Sequence, residues 1–293
     1  MKITGLEIIP ASKYLFIKIT TDEGIHGTGE AGAWGFLDGV EGVLRRFTDY
    51  LIGQDPFRIE HHWNYLYRSM YFRGSVIMSA LSAIDIALWD IKGKAYGVPV
   101  HELLGGKQRE SLRAYASQIQ FGWGPDYTPA RSLEDYAREA KKAIDDGYDC
   151  VKADFFSYKE GEGRFTENEQ AGLLSQAHMK LVEERIVVTR EAIGPDNDII
   201  LENHCYTDAQ SAVQMANMAK AYRMFYFEEP TTPHPELLSY VHRETGLPVA
   251  SGERIFSRWQ YEKFFKEQAI QIAQPDICLL YTSDAADDRI SVD

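Results

Sequence analysis

The sequence predicts an α/β protein, an incomplete (β/α) TIM-type barrel preceded by an α+β capping domain. Three observations predict it. From residue 111 onward, short apolar strands alternate with longer helices, the pattern of a parallel sheet with covering helices. Four carboxylates, Glu202, Glu228, Glu253 and Asp276, close successive apolar strands 26, 25 and 23 residues apart. That is about one βα unit of a barrel, in which the C-terminal strand ends converge on a single face. Before residue 111 the order differs: strands come first and helices follow.

In the N-terminal part, residues 3–9 and 14–21 read as strands rich in Ile, Leu and Phe, with Pro10 interrupting them. Asp22, Glu23 and Gly24 turn the chain into a short third strand at 25–29. Gly27, Gly29, Gly32 and Gly35 mark an irregular glycine-rich loop carrying Trp34. Helices fit 37–52, 57–68 and 75–96. The last has Ala80, Ile84, Ala87 and Leu88 at helical spacing and ends on Gly97, Val98 and Pro99. Barrel strands are expected at 112–116, 150–154, 199–203, 224–228, 249–253 and 270–276, and helices at 132–146, 168–193, 207–221, 233–244 and 257–267. The domains follow: 1–110 α+β capping, 111–280 partial barrel, 281–293 an atypical tail.

Composition narrows the chemistry. Hydrophobic residues make up 44% of the 293, enough for a substantial core. With 31 basic and 44 acidic residues the formal charge is −13, which argues against nucleic acid or an anionic membrane as partner but not against a small anionic substrate. Cys150, Cys205 and Cys278 form no Cys-x-x-Cys pair, so a reducing, cytoplasmic setting is the simpler expectation. No run approaches eighteen apolar residues. No G-x-G-x-x-G follows a strand of the βα repeat after residue 111, which disfavours a dinucleotide enzyme.

The strand-end glutamates carry the functional argument. Carboxylates gathered in one place repel unless protons, lysines or a metal neutralise them, and hard oxygen ligands suit Mg²⁺. Glu202, Glu228 and Glu253 are the expected ligands; Glu229, next in the strand and facing the other way, is placed behind Glu228. Lys152 is expected at the barrel mouth as a clamp for substrate charge or as a base, paired with Asp154 on the same strand face. His204, two residues beyond Glu202, suits a general acid. Asp276 could orient a histidine on a following strand, but no histidine follows His242.

The motifs AIDIALWDIKGKAYGVPVHELLGG (83–106), VKAD (151–154), LENH (201–204), FEEP (227–230), SGER (251–254) and QPD (274–276) occur in that order. In this the sequence resembles the mandelate racemase and muconate lactonizing enzyme group of the enolase superfamily, over residues 1 to about 276, and within it the acid-sugar dehydratases of the galactonate type. The resemblance implies Mg²⁺ on Glu202, Glu228 and Glu253, a small sugar-acid substrate, His204 as the acid for the departing β-hydroxyl, and a base built from Asp276 and a later histidine. It also implies a capping loop with Trp34 that sets specificity together with Asp154 and Glu229, and a homo-oligomer. Where the racemases have Lys-x-Lys, this chain has Lys152-Ala153-Asp154, which favours dehydration over racemisation, epimerisation or cycloisomerisation. A non-catalytic metal-binding homologue is the remaining alternative. Six strands counted against the eight of a closed barrel, and the polar ending CLLYTSDAADDRISVD, lead to the expectation of a truncated or spliced chain that is inactive and folds poorly.

Overall fold

The computed structural model describes residues 1–69, 71–125, 127–161 and 163–279; the tail expected at 281–293 lies outside these. The chain divides into two compact units. One comprises Met1–Glu110 with Gly252–Tyr261 and the stretch from Pro275; the other comprises Ser111–Ser251 with Glu262–Gln274.

The first unit begins with an antiparallel sheet of β1 (Ile3–Ala11), β2 (Tyr14–Thr21) and β3 (His26–Ala31), in that order. Period-two burial along β2 hides Leu15, Ile17, Ile19 and Thr21 while intervening residues are less buried. Pro10 does not interrupt β1 as expected: it pairs with Leu15 across the ladder. β1 is an edge strand, where a missing N–H is tolerated.

Helices α1 (Leu37–Leu51), α2 (Ile59–Ser69) and α3 (Ser75–Tyr96) follow, with a short α4 (Val100–Leu103). α3 is buried nearly all round rather than on one face, as a central helix must be. Gly27 and Gly29 belong to β3, not to a loop. A Cβ on either would stand 1.9 Å from a carbonyl oxygen of α3, Ala87 and Ala83 respectively. Only glycine lets the strand lie this close to the helix backbone. α3 ends with Gly97 in the left-handed conformation, its N–H returning to the carbonyls of Gly93 and Lys94.

The second unit is a parallel sheet in sequence order: β4 (Cys150–Ala153), β5 (Asp198–Glu202), β6 (Met224–Glu228), β7 (Val249–Ser251) and β8 (Ile272–Ala273). α5 (Leu133–Asp145) precedes β4, and between the strands run the short α6 (Glu167–Gln170), α7 (Gln176–Ile193), α8 (Ala209–Ala219), α9 (Pro235–Thr245) and α10 (Arg258–Lys266). Sequential parallel order with intervening helices is the arrangement that builds an arc of a (β/α) barrel. The strand expected at 112–116 is reduced to one bridge, Ala116 to Val151, with hydrogen bonds on either side of it of 2.9 and 2.8 Å. Its N-terminal part does not pair, and Leu112 is 80% exposed. The helix starts are fixed locally: Ser132 caps α5 in a reciprocal capping box with Asp135, Ser175 caps α7, and Asp208 caps α8. No helix among the described residues is long and apolar enough to cross a membrane.

Candidate metal centre

The site grows from the C-terminal ends of the parallel strands. Cys150 to Ala153 are all buried, so Lys152 stands in the sheet interior with 6% of its side chain exposed. Its Nζ lies 2.5 Å from Glu228 Oε1 and 3.2 Å from Glu202 Oε2, and 5.3 Å from the centre of the Tyr115 ring. Burial alone would drive the proton off, but the two carboxylates together outweigh it and raise the ammonium above its ordinary value. Lys152 is therefore a fixed cation, not a ready base. The expected Lys152–Asp154 pair is not formed. β4 ends at Ala153, so strand alternation no longer dictates where Asp154 points. Its carboxylate accepts from the Phe156 N–H at 2.8 Å and meets His204 Nδ1 at 2.9 Å.

Glu228 and Glu229 do not stand where the sequence reading put them. Glu228 is the last residue of β6, and its carboxylate is taken by Lys152 and by the Gln274 side-chain amide, 2.8 Å from Oε2. Glu229 has left the strand: its φ of 43° is left-handed. Alternation holds only while the backbone is extended, and here it fails. Glu202, Glu229 and Glu253 each offer a carboxylate oxygen, and the three oxygens lie within 4.8 Å of one another. Glu229, where the sequence reading expected Glu228, is thus the glutamate this arrangement brings to Glu202 and Glu253. Glu253 lies two residues past the end of β7, whose Ala250 carbonyl accepts the Glu229 N–H at 2.9 Å.

The donor set suits a divalent cation. Glu202 is fully buried and its Oε1 accepts no hydrogen bond. Burial, only partly offset by Lys152 and His204, pushes its carboxyl up to about 8. A buried carboxylate aimed at two others is stable in its charged form when a cation shares it. All-oxygen donors match a hard ion.

His204, with φ 47°, also sits beyond its strand, yet its ring reaches Glu202: Nε2 is 3.4 Å from Oε1 and 3.0 Å from Gln118 Nε2. Asp276 is half-buried; burial raises its carboxyl above the ordinary range, against a hydrogen bond from the Cys278 N–H, and Glu253 adds to the rise. A Cβ on Gly32 would stand 2.8 Å from Asp276 Oδ2, so the glycine of the expected loop touches this carboxylate. Trp34 is 62% exposed, set edge-on to Tyr14 with Lys13 Nζ 5.1 Å from its ring centre. Gln118, Gln120 and Gln274 escaped the sequence reading. Glutamine carries no charge pattern, and only Gln274, inside QPD, lay in a quoted motif.

Residues 135–280 match the family described as enolase C-terminal domain-like, and residues 5–105 the N-terminal domain of mandelate racemase / muconate lactonizing enzyme. The chain belongs to the mandelate racemase / muconate lactonizing enzyme family of the enolase superfamily. It is 35% identical to a D-galactonate dehydratase of Pectobacterium atrosepticum, over 94% of this chain and 67% of that protein. A D-galactonate dehydratase of Variovorax paradoxus is 34% identical, over 94% and 68%. Among solved structures, a member of the enolase superfamily from Salmonella Typhimurium superposes with a TM-score of 0.90 at 38% identity, covering 95% of this chain and 74% of its own. A mandelate racemase/muconate lactonizing enzyme-like protein from Rubrobacter xylanophilus gives 0.85 at 27%, covering 97% and 75%.

Proposed function

We propose that the protein is a Mg²⁺-dependent acid-sugar dehydratase, a carbon–oxygen lyase acting on an aldonic acid of the galactonate type. The single observation that carries this reading is the carboxylate group of Glu202, Glu229 and Glu253 in a chain 35% identical to a D-galactonate dehydratase. When bound there, Mg²⁺ would hold the substrate carboxylate and gather the negative charge that develops as the α-proton leaves. The chain's own residues supply the rest. Lys152, locked as a cation by Glu202 and Glu228, adds fixed positive charge beside the developing enediolate. His204 gives a proton to the departing β-hydroxyl. Asp276 orients the base that takes the α-proton; that base is not assigned among the described residues. Trp34 belongs to the substrate side of the same proposal. A cytoplasmic, homo-oligomeric enzyme completes the reading.

The test is a panel of aldonic and aldaric acids, D-galactonate included, assayed with Mg²⁺ for metal-dependent binding by calorimetry and for 2-keto-3-deoxy product. Binding that needs the metal and vanishes in Glu253→Gln supports the reading. Absence of metal-dependent binding to every acid in the panel refutes it. His204→Asn separates elimination from epimerisation: it stops water loss but leaves exchange of the α-hydrogen with solvent.

A further inference from the structure

His204 is held at both ring nitrogens, and its neighbours dictate the direction of each hydrogen bond. Gln118 Nε2 lies 2.7 Å from Glu202 Oε2 and 3.0 Å from His204 Nε2. Glu202 Oε2 is also 3.2 Å from Lys152 Nζ, which can only donate, so this oxygen is an acceptor. The Gln120 side-chain amide donates to Gln118 Oε1. With its oxygen thus taken, Gln118 presents its amide nitrogen to both Glu202 and His204. That nitrogen carries two hydrogens, one for each partner. Glu202 Oε1, 3.4 Å from Nε2, makes no hydrogen bond, so His204 Nε2 accepts from Gln118 and the ring hydrogen sits on Nδ1. Asp154 is built to receive it. It is 1% exposed, its Oδ1 is occupied by the Phe156 N–H, and its Oδ2 lies 2.9 Å from His204 Nδ1.

We propose that Asp154 and Gln118 are positioning residues that fix His204 in the Nδ1–H tautomer, leaving Nε2 as the nitrogen that takes up a proton and delivers it to the departing hydroxyl. The delivery step rests on the dehydratase reading; the tautomer does not. Left to itself a neutral imidazole exchanges between tautomers and turns about its side-chain bonds. Opposed partners, a carboxylate on one nitrogen and an amide donor on the other, remove both freedoms. The same logic holds the histidine of hydrolase triads in one tautomer through a buried aspartate.

The experiment is long-range ¹H–¹⁵N NMR of the imidazoles in the full, ¹⁵N-labelled chain, at a pH where they are neutral. His204 is assigned by the signal lost in His204→Asn. The expected result is a pyrrole-type Nδ1 and a pyridine-type Nε2; the reverse pattern, or an even mixture, overturns the proposal. In Asp154→Asn the Phe156 N–H still claims the side-chain oxygen, so the new amide NH₂ faces Nδ1 while Gln118 still donates to Nε2, and the pure Nδ1–H signature is lost. An unchanged signature overturns the role given to Asp154. Gln118→Met leaves Asp154 holding Nδ1–H but removes the donor at Nε2, so the Nε2 resonance moves toward that of an unbonded pyridine-type nitrogen; an unmoved Nε2 resonance overturns the role given to Gln118. With an acid-sugar substrate, Asp154→Asn lowers kcat by about a hundredfold with little change in KM. The expected signature together with no metal-dependent acid-sugar binding counts against the dehydratase reading and leaves the tautomer clamp standing.

Discussion

Two ends of the same strands carry the same device with opposite consequences. At the start of β4 and β5, Arg113 bridges Asp149 and Asp198 at 2.9 and 2.7 Å. At their finish, Lys152 bridges Glu228 and Glu202 at 2.5 and 3.2 Å. Each is one cation between two carboxylates. The first trio is open to water, its side chains 45, 59 and 34% exposed; the second is at most 6% exposed. Water screens the first and makes it worth little. The second cannot be solvated, so losing one member leaves charges that nothing else neutralises. The buried end is also the face on which barrel enzymes place their chemistry.

The sharpest way to break this comparison is to delete each cation. Lys152→Met leaves Glu202 and Glu228 buried without their counter-ion and costs about 3–5 kcal/mol of stability in denaturant unfolding. Adding Glu228→Gln to that variant recovers part of the loss. A Lys152→Met protein as stable as the parent would show that the buried trio does not behave as its burial implies.

Next in size is the response to a divalent ion. Mg²⁺ at a hundred times its dissociation constant raises stability by about 2.7 kcal/mol, read as a shift in denaturant midpoint. Glu202→Gln, Glu229→Gln and Glu253→Gln remove the shift. If Glu228→Gln removes it and Glu229→Gln does not, Glu228 is the ligand, as the sequence reading had it.

The buried carboxyl of Glu202 adds a pH dependence in metal-free protein. Its folded pKa, about 8, lies above the ordinary carboxylate value. Between those two values the folded state holds a proton that the unfolded state has lost. Stability is therefore full at low pH and falls as pH rises toward 8, by up to about 1.4 kcal/mol per unit. Glu202→Gln flattens the slope, and so does Mg²⁺. A stability that rises over this window would contradict the burial of Glu202.

The smallest effect belongs to the exposed end. Arg113→Met changes stability by about 1 kcal/mol or less, and added salt erases the difference. It leaves the Mg²⁺ shift intact. A loss comparable with that of Lys152→Met would remove the contrast between the two ends.

Much of this was legible in the chain itself. The boundaries of α1, α3, α9 and β6 fall within a residue or two of those expected from apolar period, caps and turn residues, because these depend on neighbours a few residues away. The regular recurrence of Glu202, Glu228 and Glu253 marked where carboxylates gather. The approach of Glu229 to Glu202 and Glu253 was not legible, because alternation presumes an extended backbone and its left-handed φ lies just past the strand end. The Asp154 partner was missed for a related reason: it sits one residue past Ala153, where β4 stops.

By itself, then, the sequence determined the order of elements, the parallel repeat and the positions at which acidic side chains reach the strand ends. These are short-range consequences of hydrophobic period and steric preference. Tertiary structure alone decided which carboxylate faces Lys152, which joins the metal group, and which nitrogen of His204 bears the hydrogen. Those outcomes depend on partners from 50 to 86 residues away, and a hydrogen bond is settled by where both ends stand, which no local pattern encodes.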